Sequence, residues 1–201
     1  MIPANKGKRL PPEALTAEEI ESVIGKLGGG PAALRNEVVI LLMWRAGLRS
    51  AEALSVRRCD LTMDGGRAVV RVVSPKGAGR GVLPRVLGLG AMSTSRLKPW
   101  LEVFERRGWP HTTPLCCTLQ GKPMATGYLR QFIPRAARRA GITRRVHPHA
   151  FRHTFAFESV MEGQPLPWVS RALGHTSMLT TQRYLDHLAP ADVISGMQGR
   201  D

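Results

Sequence analysis

The chain has 201 residues and carries 29 lysines and arginines against 15 aspartates and glutamates, a formal net charge of +14 at pH 7. This length suits one domain with its own buried core, and a hydrophobic content of 43% excludes a wholly disordered chain. The excess of positive charge favours an anionic partner, either nucleic acid or an anionic membrane surface.

The first part of the chain predicts a basic arm followed by helices. Residues 1–14 are expected to form the arm. Thr16 and Glu19 have the spacing of a capping box, which predicts that a first helix begins directly after Thr16. A strongly apolar second helix is predicted over residues 32–46, and a third begins near Ser50.

The middle of the chain holds the only convincing β region. Residues 68–73 and 82–87 are rich in β-branched and aliphatic side chains, and the glycine-rich segment between them carries Lys76. This pattern predicts a β-hairpin, and the fold class is therefore mainly α with a small antiparallel β-sheet (α+β). The remaining helices are predicted over residues 95–106, 126–140, 149–161, 167–173, 177–188 and 191–197.

The positive charge lies in two windows without any acidic residue. Residues 65–100 carry seven lysines and arginines, and residues 106–157 carry ten. Because ordinary protein surfaces mix both signs of charge, such windows predict a surface that meets phosphates. The candidate DNA contacts among them are Arg80, Arg85, Arg138, Arg139, Arg144 and Arg145.

Neither a membrane span nor a disulfide framework is predicted. The apolar run over residues 38–44 ends at Arg45 and is far shorter than the ~20 residues of a spanning helix. The N-terminus shows no apolar segment of a secretory signal. Cys59, Cys116 and Cys117 are an odd number with two of them adjacent, which predicts a protein of the reducing cytoplasm.

No cofactor is expected, metal ions included. The glycine-rich turn at Lys76 joins two strands, whereas a nucleotide-binding loop opens a helix with a lysine followed by serine or threonine. His149 and His153 have a spacing that binds zinc, but the glutamate of a metalloprotease is absent between them. Cys116 and Cys117 lack the gap that separates the cysteines of a zinc site.

Four short motifs carry the sharpest functional signal. Residues 47–52 read Gly-Leu-Arg-Ser-Ala-Glu, and His149 and Arg152 form a His-x-x-Arg pair. A Leu-Gly-His sequence ends at His175, and Tyr184 follows nine residues later. Each of these residues has an ordinary structural explanation when taken alone, but the whole set in this order has a very low probability of occurring by chance.

These motifs resemble those of the tyrosine recombinase (phage integrase) family, whose hairpin lysine is matched by Lys76. The resemblance covers residues 15–188 and implies the catalytic domain of that family. Residues 189–201 are then expected to form a tail that docks on a neighbouring subunit. The family also implies double-stranded DNA as partner, a monomer when free, a homo-tetramer during strand exchange, accessory DNA-bending proteins, no membrane, and a location on the nucleoid in the cytoplasm.

The resemblance implies strand cleavage without a metal, with a role for each matched residue. A tyrosine attacks the phosphodiester and leaves a 3′-phosphotyrosyl bond and a free 5′-hydroxyl. The tyrosine is matched by Tyr184. The non-bridging oxygens are stabilised by two arginines and a histidine, matched by Arg49, Arg152 and His175.

The resemblance also implies the proton transfers. Lys76 matches the lysine that protonates the leaving oxygen, and His149 matches the histidine that accepts the proton of the tyrosine. Glu52 is expected to orient Arg49 or His149.

Several alternatives stay open on the sequence alone. A DNA-binding module without recombination activity would share the basic windows, and a topoisomerase or telomere resolvase would share the chemistry. Strand exchange itself leads to integration, excision or inversion. Most family members carry an N-terminal core-binding domain, and only a short arm precedes residue 15 here. We therefore expect a compact member of the family, an excised catalytic domain, or a remnant unable to recombine.

Overall fold

The computed structural model describes residues 14–73 and 84–175. The helices in these ranges are α1 (Ala17–Gly25), α2 (Pro31–Arg45), α3 (Ser50–Ser55), a 3₁₀ turn (Arg58–Asp60), α4 (Ala91–Arg106), α5 (Thr126–Arg139), α6 (Pro148–Met161) and α7 (Leu166–Leu173). The strands are β1 (Leu61–Asp64), β2 (Arg67–Val72) and β3 (Arg85–Gly88). The predicted class, mainly α with a small antiparallel sheet, is confirmed.

Several predictions lie outside the described residues. They concern nearly all of the 1–14 arm, the turn with Lys76 and Arg80, the helices 177–188 and 191–197, Tyr184, and the 189–201 tail.

The sheet has three antiparallel strands in the order β1-β2-β3, with Val70 of β2 opposite both Leu61 and Leu87. The predicted pairing of β2 with the strand that follows it is confirmed, but β1 was not predicted. Only Leu61 of β1 is buried, so the strand has no alternation of apolar residues. The overlooked signal is the pair Gly65 and Gly66, whose φ angles of +52° and +77° form the two-residue turn between β1 and β2.

The start of α1 confirms the predicted capping box. The Thr16 hydroxyl accepts a hydrogen bond from the Glu19 amide at 3.2 Å, and the Glu19 carboxylate accepts one from the Thr16 amide at 2.9 Å. The Leu15 amide donates to the Thr154 hydroxyl at 2.8 Å, and that hydroxyl donates to the Leu15 carbonyl at 3.0 Å. These contacts fasten the chain to α6 immediately before α1 begins.

Helix α4 begins at Ala91, four residues earlier than predicted. Pro99 lacks an amide hydrogen and is best tolerated in the first turn of a helix, whereas here it lies inside α4. The early start is stabilised by Thr94, whose hydroxyl accepts a hydrogen bond from the Ala68 amide at 2.8 Å. A contact with β2 therefore extends α4 beyond the start that local sequence signals indicate.

The core is built around α2, which packs against α3, α4 and α6. Residues 38–44 are all buried, because α2 is covered on several sides. Trp100 of α4 is fully buried and its indole donates a hydrogen bond to the Leu115 carbonyl at 2.8 Å. In the described ranges, no helix is long and apolar enough to cross a membrane.

Candidate active site

A glycine turn between α2 and α3 brings Arg49 to the site. Gly47 has a φ of +61°, and a Cβ atom there would lie 2.5 Å from Cδ1 of Phe155. Only glycine combines this left-handed conformation with such a close approach. The chain then turns directly into α3, with Arg49 as the residue that precedes the helix.

Glu52 in the first turn of α3 holds Arg49 in place. The buried carboxylate accepts a hydrogen bond from the Arg49 amide at 2.7 Å and another from Nη1 of its guanidinium at 3.1 Å. The Arg49 side chain remains 34% exposed. It can therefore present its other donors to a molecule that enters from solvent. Glu52 thus fixes the backbone and one guanidinium nitrogen of Arg49, and its orienting role in a reaction stays a prediction.

The Glu52 carboxylate is shared by three guanidiniums. Arg85 of β3 donates to both carboxylate oxygens, at 3.1 and 2.8 Å, and Nη1 of Arg152 lies 3.6 Å from Oε2. Burial alone would raise the pKa of Glu52, but the hydrogen bonds from Arg85 and the Arg49 amide, with the charges of Arg85 and Arg152, hold that pKa below its usual value. Glu52 is therefore a carboxylate at neutral pH.

Arg152 of α6 connects the two ends of the site and is only 1% exposed. Its Nη1 donates to the Gly47 carbonyl at 2.7 Å, which fixes the turn before Arg49. Its Nη2 donates to the Leu173 carbonyl at 2.7 Å and lies 2.9 Å from Nε2 of His175. One guanidinium thus sets the relative positions of the glycine turn and the end of α7.

The end of α7 places His175. Gly174 adopts the left-handed conformation, and the His175 amide donates to the Ser170 carbonyl at 3.0 Å, as in a Schellman motif. Because an arginine can only donate, Nε2 of His175 accepts the hydrogen bond from Arg152, so the neutral ring carries its proton on Nδ1. Desolvation by burial, with the charges of Arg152, Arg49 and Arg85, lowers the pKa of His175 to about 4.

His149 stands in the first turn of α6, directly after Pro148. Its ring packs edge-on against His153 at a centroid distance of 4.5 Å, and the residue still reaches solvent. Desolvation on its inner side and the positive charge of Arg152, with smaller contributions from His147 and Arg49, lower its pKa to about 4. His149 is therefore neutral at pH 7 and able to accept a proton.

We expect stability to decrease in mild acid because of these two histidines. His149 and His175 stay neutral in the folded protein to about pH 4, but they become charged near pH 6.5 in the unfolded chain. The unfolded chain binds more protons between these values, so the free energy of unfolding falls as pH decreases through that window. Urea denaturation at several pH values measures this slope. The variant His175→Gln should have a shallower slope, and an unchanged slope would contradict the assignment.

The predicted DNA contacts occupy different environments. Arg138 and Arg145 are exposed, and so is Arg139, whose Nη1 lies 3.5 Å from the Lys26 carbonyl. Arg144 pairs with Glu19 of α1. Arg85 is only 8% exposed and its guanidinium is engaged with Glu52 and with the Ala172 carbonyl, so the structure places it inside the site.

The sequence interpretation missed the contact between Arg85 and Glu52, because the sequence of β3 leaves its buried face undecided. Side chains alternate between the two faces of a strand, so Arg85 points to the same face as Leu87 and away from Val86. Leu87 is buried and Val86 is 64% exposed. Val86 and Leu87 are both aliphatic, so alternation alone does not decide which face of β3 is buried. Once Leu87 faces the core, Arg85 lies inward as well and requires a buried acidic partner.

Over residues 14–73 and 84–175, no group of three histidine, cysteine, aspartate or glutamate side chains is arranged to hold a metal ion. The polar atoms of the site are instead arginine and histidine nitrogens around one carboxylate. Such a set offers hydrogen-bond donors to an anion.

Residues 13–190 match the family model described as the phage integrase family. The chain belongs to this family. Tyrosine recombinase XerD of Bifidobacterium longum (strain NCC 2705) is 28% identical over 96% of the chain and 64% of the XerD length. This phage integrase domain thus spans less than two thirds of the curated relatives that it matches first.

Solved structures place the phage integrase domain among tyrosine recombinase folds. The crystal structure of XerA recombinase matches with a TM-score of 0.79 and 22% identity, covering 100% of this chain and 70% of XerA. XerH site-specific recombinase, bound to a palindromic difH substrate in a post-cleavage complex, matches with a TM-score of 0.74 and 28% identity. That match covers 92% of this chain and 52% of XerH. The fold expected from the resemblance is confirmed.

Proposed function

We propose that this chain acts as a site-specific DNA recombinase that cleaves and rejoins DNA through a 3′-phosphotyrosyl bond on Tyr184. The observation that carries the proposal is the convergence of Arg49 and Arg152 on Glu52, beside His175. The site lies in a phage integrase domain, and the similar XerH is described as a site-specific recombinase in a post-cleavage complex with its substrate.

The charge of the site suits the transition state of phosphodiester cleavage. Three guanidiniums around one carboxylate leave two positive charges in excess among the described residues of the site. A tyrosinate that attacks a phosphodiester anion brings together about two negative charges. Arg152 is held rigidly by carbonyl acceptors, so its electrostatic stabilisation requires little rearrangement when the charge develops.

Each remaining group then has a step in the reaction. The phenol of Tyr184 is a poor nucleophile because its ordinary pKa is about 10, and neutral His149 accepts its proton as it attacks. The proton on Nδ1 of His175 and the exposed face of Arg49 bind the non-bridging oxygens. Lys76 protonates the leaving 5′-oxygen. Glu52 does not react and keeps Arg49 in position.

The proposal extends to assembly. Double-stranded DNA is the substrate, and four copies of a chain that is monomeric when free hold the junction, with residues 189–201 docked on a neighbour. Accessory DNA-bending proteins assist the strand exchange, which takes place on the nucleoid of the cytoplasm.

The proposal also divides the chain. Residues 15–188 form the catalytic domain, and the basic arm 1–14 adds phosphate contacts. The other proposed phosphate contacts are Arg80, Arg138, Arg139, Arg144 and Arg145, while Arg85 is assigned to the interior of the site.

A covalent capture assay tests this proposal. Nicked suicide duplexes that tile the DNA flanking the reading frame are incubated with the protein in EDTA and then separated in detergent. We expect a detergent-resistant complex on one or a few of these duplexes. Salt-sensitive DNA binding without any covalent complex would instead indicate a DNA-binding module. Relaxation of supercoiled plasmid of any sequence by the monomer would indicate a topoisomerase.

A further inference from the structure

We propose that Arg85 is a positioning residue that connects α3 with the end of α7 and neutralises Glu52, so that the exposed donors of Arg49 stay available to the DNA phosphate. This inference rests on the proposed function. It concerns a residue that touches neither the tyrosine nor the phosphate in that reaction. Arg85 stands at the first position of β3, on the buried face of the sheet.

The guanidinium of Arg85 bridges two elements of the site. Its two terminal nitrogens bind the two oxygens of Glu52, at 3.1 and 2.8 Å, in a bidentate pair with α3. Its Nε donates to the Ala172 carbonyl at 2.7 Å, near the end of α7. Glu52 holds Arg49, and Ala172 stands three residues before His175, so one side chain connects the elements that carry both groups.

The shape of the site is matched to this arginine. Gly174 packs directly on the guanidinium, because a Cβ atom at residue 174 would lie 2.7 Å from Nη1 of Arg85. A lysine has one ammonium group and cannot bind two carboxylate oxygens and a carbonyl in this planar arrangement. The bare backbone of Gly174 therefore makes room for the guanidinium at the point where the chain turns toward His175.

The second role of Arg85 is electrostatic. A buried carboxylate requires a positive partner, and Glu52 has three guanidiniums within reach. The bidentate bond with Arg85 supplies that partner without using a phosphate ligand. If Arg85 is removed, only Arg49 and Arg152 remain to neutralise Glu52, and the carboxylate competes with the DNA phosphate for the exposed donors of Arg49. The positive excess at the site also falls by one charge.

The test is single-turnover cleavage of the captured nicked duplex at saturating protein. We expect Arg85→Met to lower the cleavage rate about 100-fold, as displaced catalytic groups do, with the DNA dissociation constant changed less than about threefold. Arg85→Lys should give an intermediate rate. The matched control is Arg58→Met, because Arg58 also binds a carboxylate, Glu105, and a carbonyl, that of Leu61, and neither partner belongs to the site. This control should cleave at the wild-type rate.

The double variant Glu52→Gln with Arg85→Met separates positioning from folding. Replacing a buried ion pair by neutral groups often restores stability, so the thermal midpoint should recover toward that of the wild type. Cleavage should stay low, because neither Arg49 nor the end of α7 is held. Recovery of cleavage together with stability would overturn the inference, as would a wild-type rate for Arg85→Met.

A wild-type protein that does not cleave DNA would count against the proposed function but not against the role of Arg85. A measurement on the free protein therefore tests that role separately. NMR titration follows the ring of His175, whose surroundings include the positive charge of Arg85. We expect Arg85→Met to raise the pKa of His175, because one of the positive charges that lower it is removed, and Arg58→Met to leave it unchanged. An unchanged pKa of His175 in Arg85→Met would show that Arg85 does not organise this end of the site.

Discussion

Replacing Arg152 with lysine is expected to lower the rate of strand cleavage about 1000-fold, which is the scale of losing a preorganised donor to a developing anion. The guanidinium makes hydrogen bonds with the Gly47 and Leu173 carbonyls and with His175 at the same time. One ammonium group cannot reproduce that planar geometry. The buried carbonyls left without a donor should also lower the free energy of unfolding, by about 1–3 kcal/mol each.

Single-turnover cleavage and urea denaturation together measure the effect of Arg152→Lys. The control is Arg58→Lys, which changes an arginine that also binds a carboxylate and a carbonyl but lies outside the site. It should lose some stability and retain its cleavage rate. If Arg152→Lys cleaves within about threefold of the wild type, the guanidinium geometry is not what stabilises the transition state.

Replacing Gly47 with alanine is expected to cost about 3 kcal/mol of folding stability. The left-handed conformation costs a residue with a Cβ atom about 1–2 kcal/mol. The new methyl group would also lie 2.5 Å from a ring carbon of the buried Phe155, and overpacking of this kind costs about 1–3 kcal/mol. The backbone shift that relieves the contact displaces Arg49, so cleavage should also fall.

Gly28→Ala is the matched control for this second prediction. Gly28 has a φ of +86°, yet a Cβ atom there would meet nothing within 4 Å. This variant should lose only about 1 kcal/mol of folding stability, the cost of placing a Cβ atom on a left-handed backbone, and it should keep its cleavage activity. Urea denaturation of both variants gives the comparison. Equal losses of stability would mean that the contact with Phe155 does not constrain the turn.

Local sequence signals predicted most of the helices because those signals are themselves local. The hydrogen bonds of Thr16 and Glu19 join residues three apart, and the apolar run 38–44 reports burial directly. The start of α4 was wrong because a contact with Ala68 of β2, distant in sequence, stabilises its first turn. The strand β1 was missed because most of it is exposed.

The sequence motifs named candidate residues of the site, but they could not predict the contacts among those residues. The order of the motifs named Arg49, His149, Arg152 and His175. In the structure, Arg49 and Arg152 both lie beside Glu52, and His175 contacts Arg152. His149 lies close enough to Arg152 and Arg49 for their charges to lower its pKa. The contact between Arg152 and the Gly47 carbonyl joins residues 105 apart in sequence. Arg85 was predicted to contact DNA, because it lies in an acid-free window. The count of charges in a window carries no information on which face of a strand a side chain occupies.

The most direct test of the proposed function identifies the residue that becomes linked to DNA. The chain has two tyrosines, Tyr184 and Tyr128, and the Tyr128 hydroxyl accepts hydrogen bonds from Arg35 and Asn36 outside the site. The complex captured on a nicked duplex is digested with trypsin and nuclease, and mass spectrometry locates the nucleotide. We predict that Tyr184 carries it, that Tyr184→Phe abolishes the complex and that Tyr128→Phe retains it. A nucleotide on any other residue, or a complex that persists in Tyr184→Phe, would contradict the account.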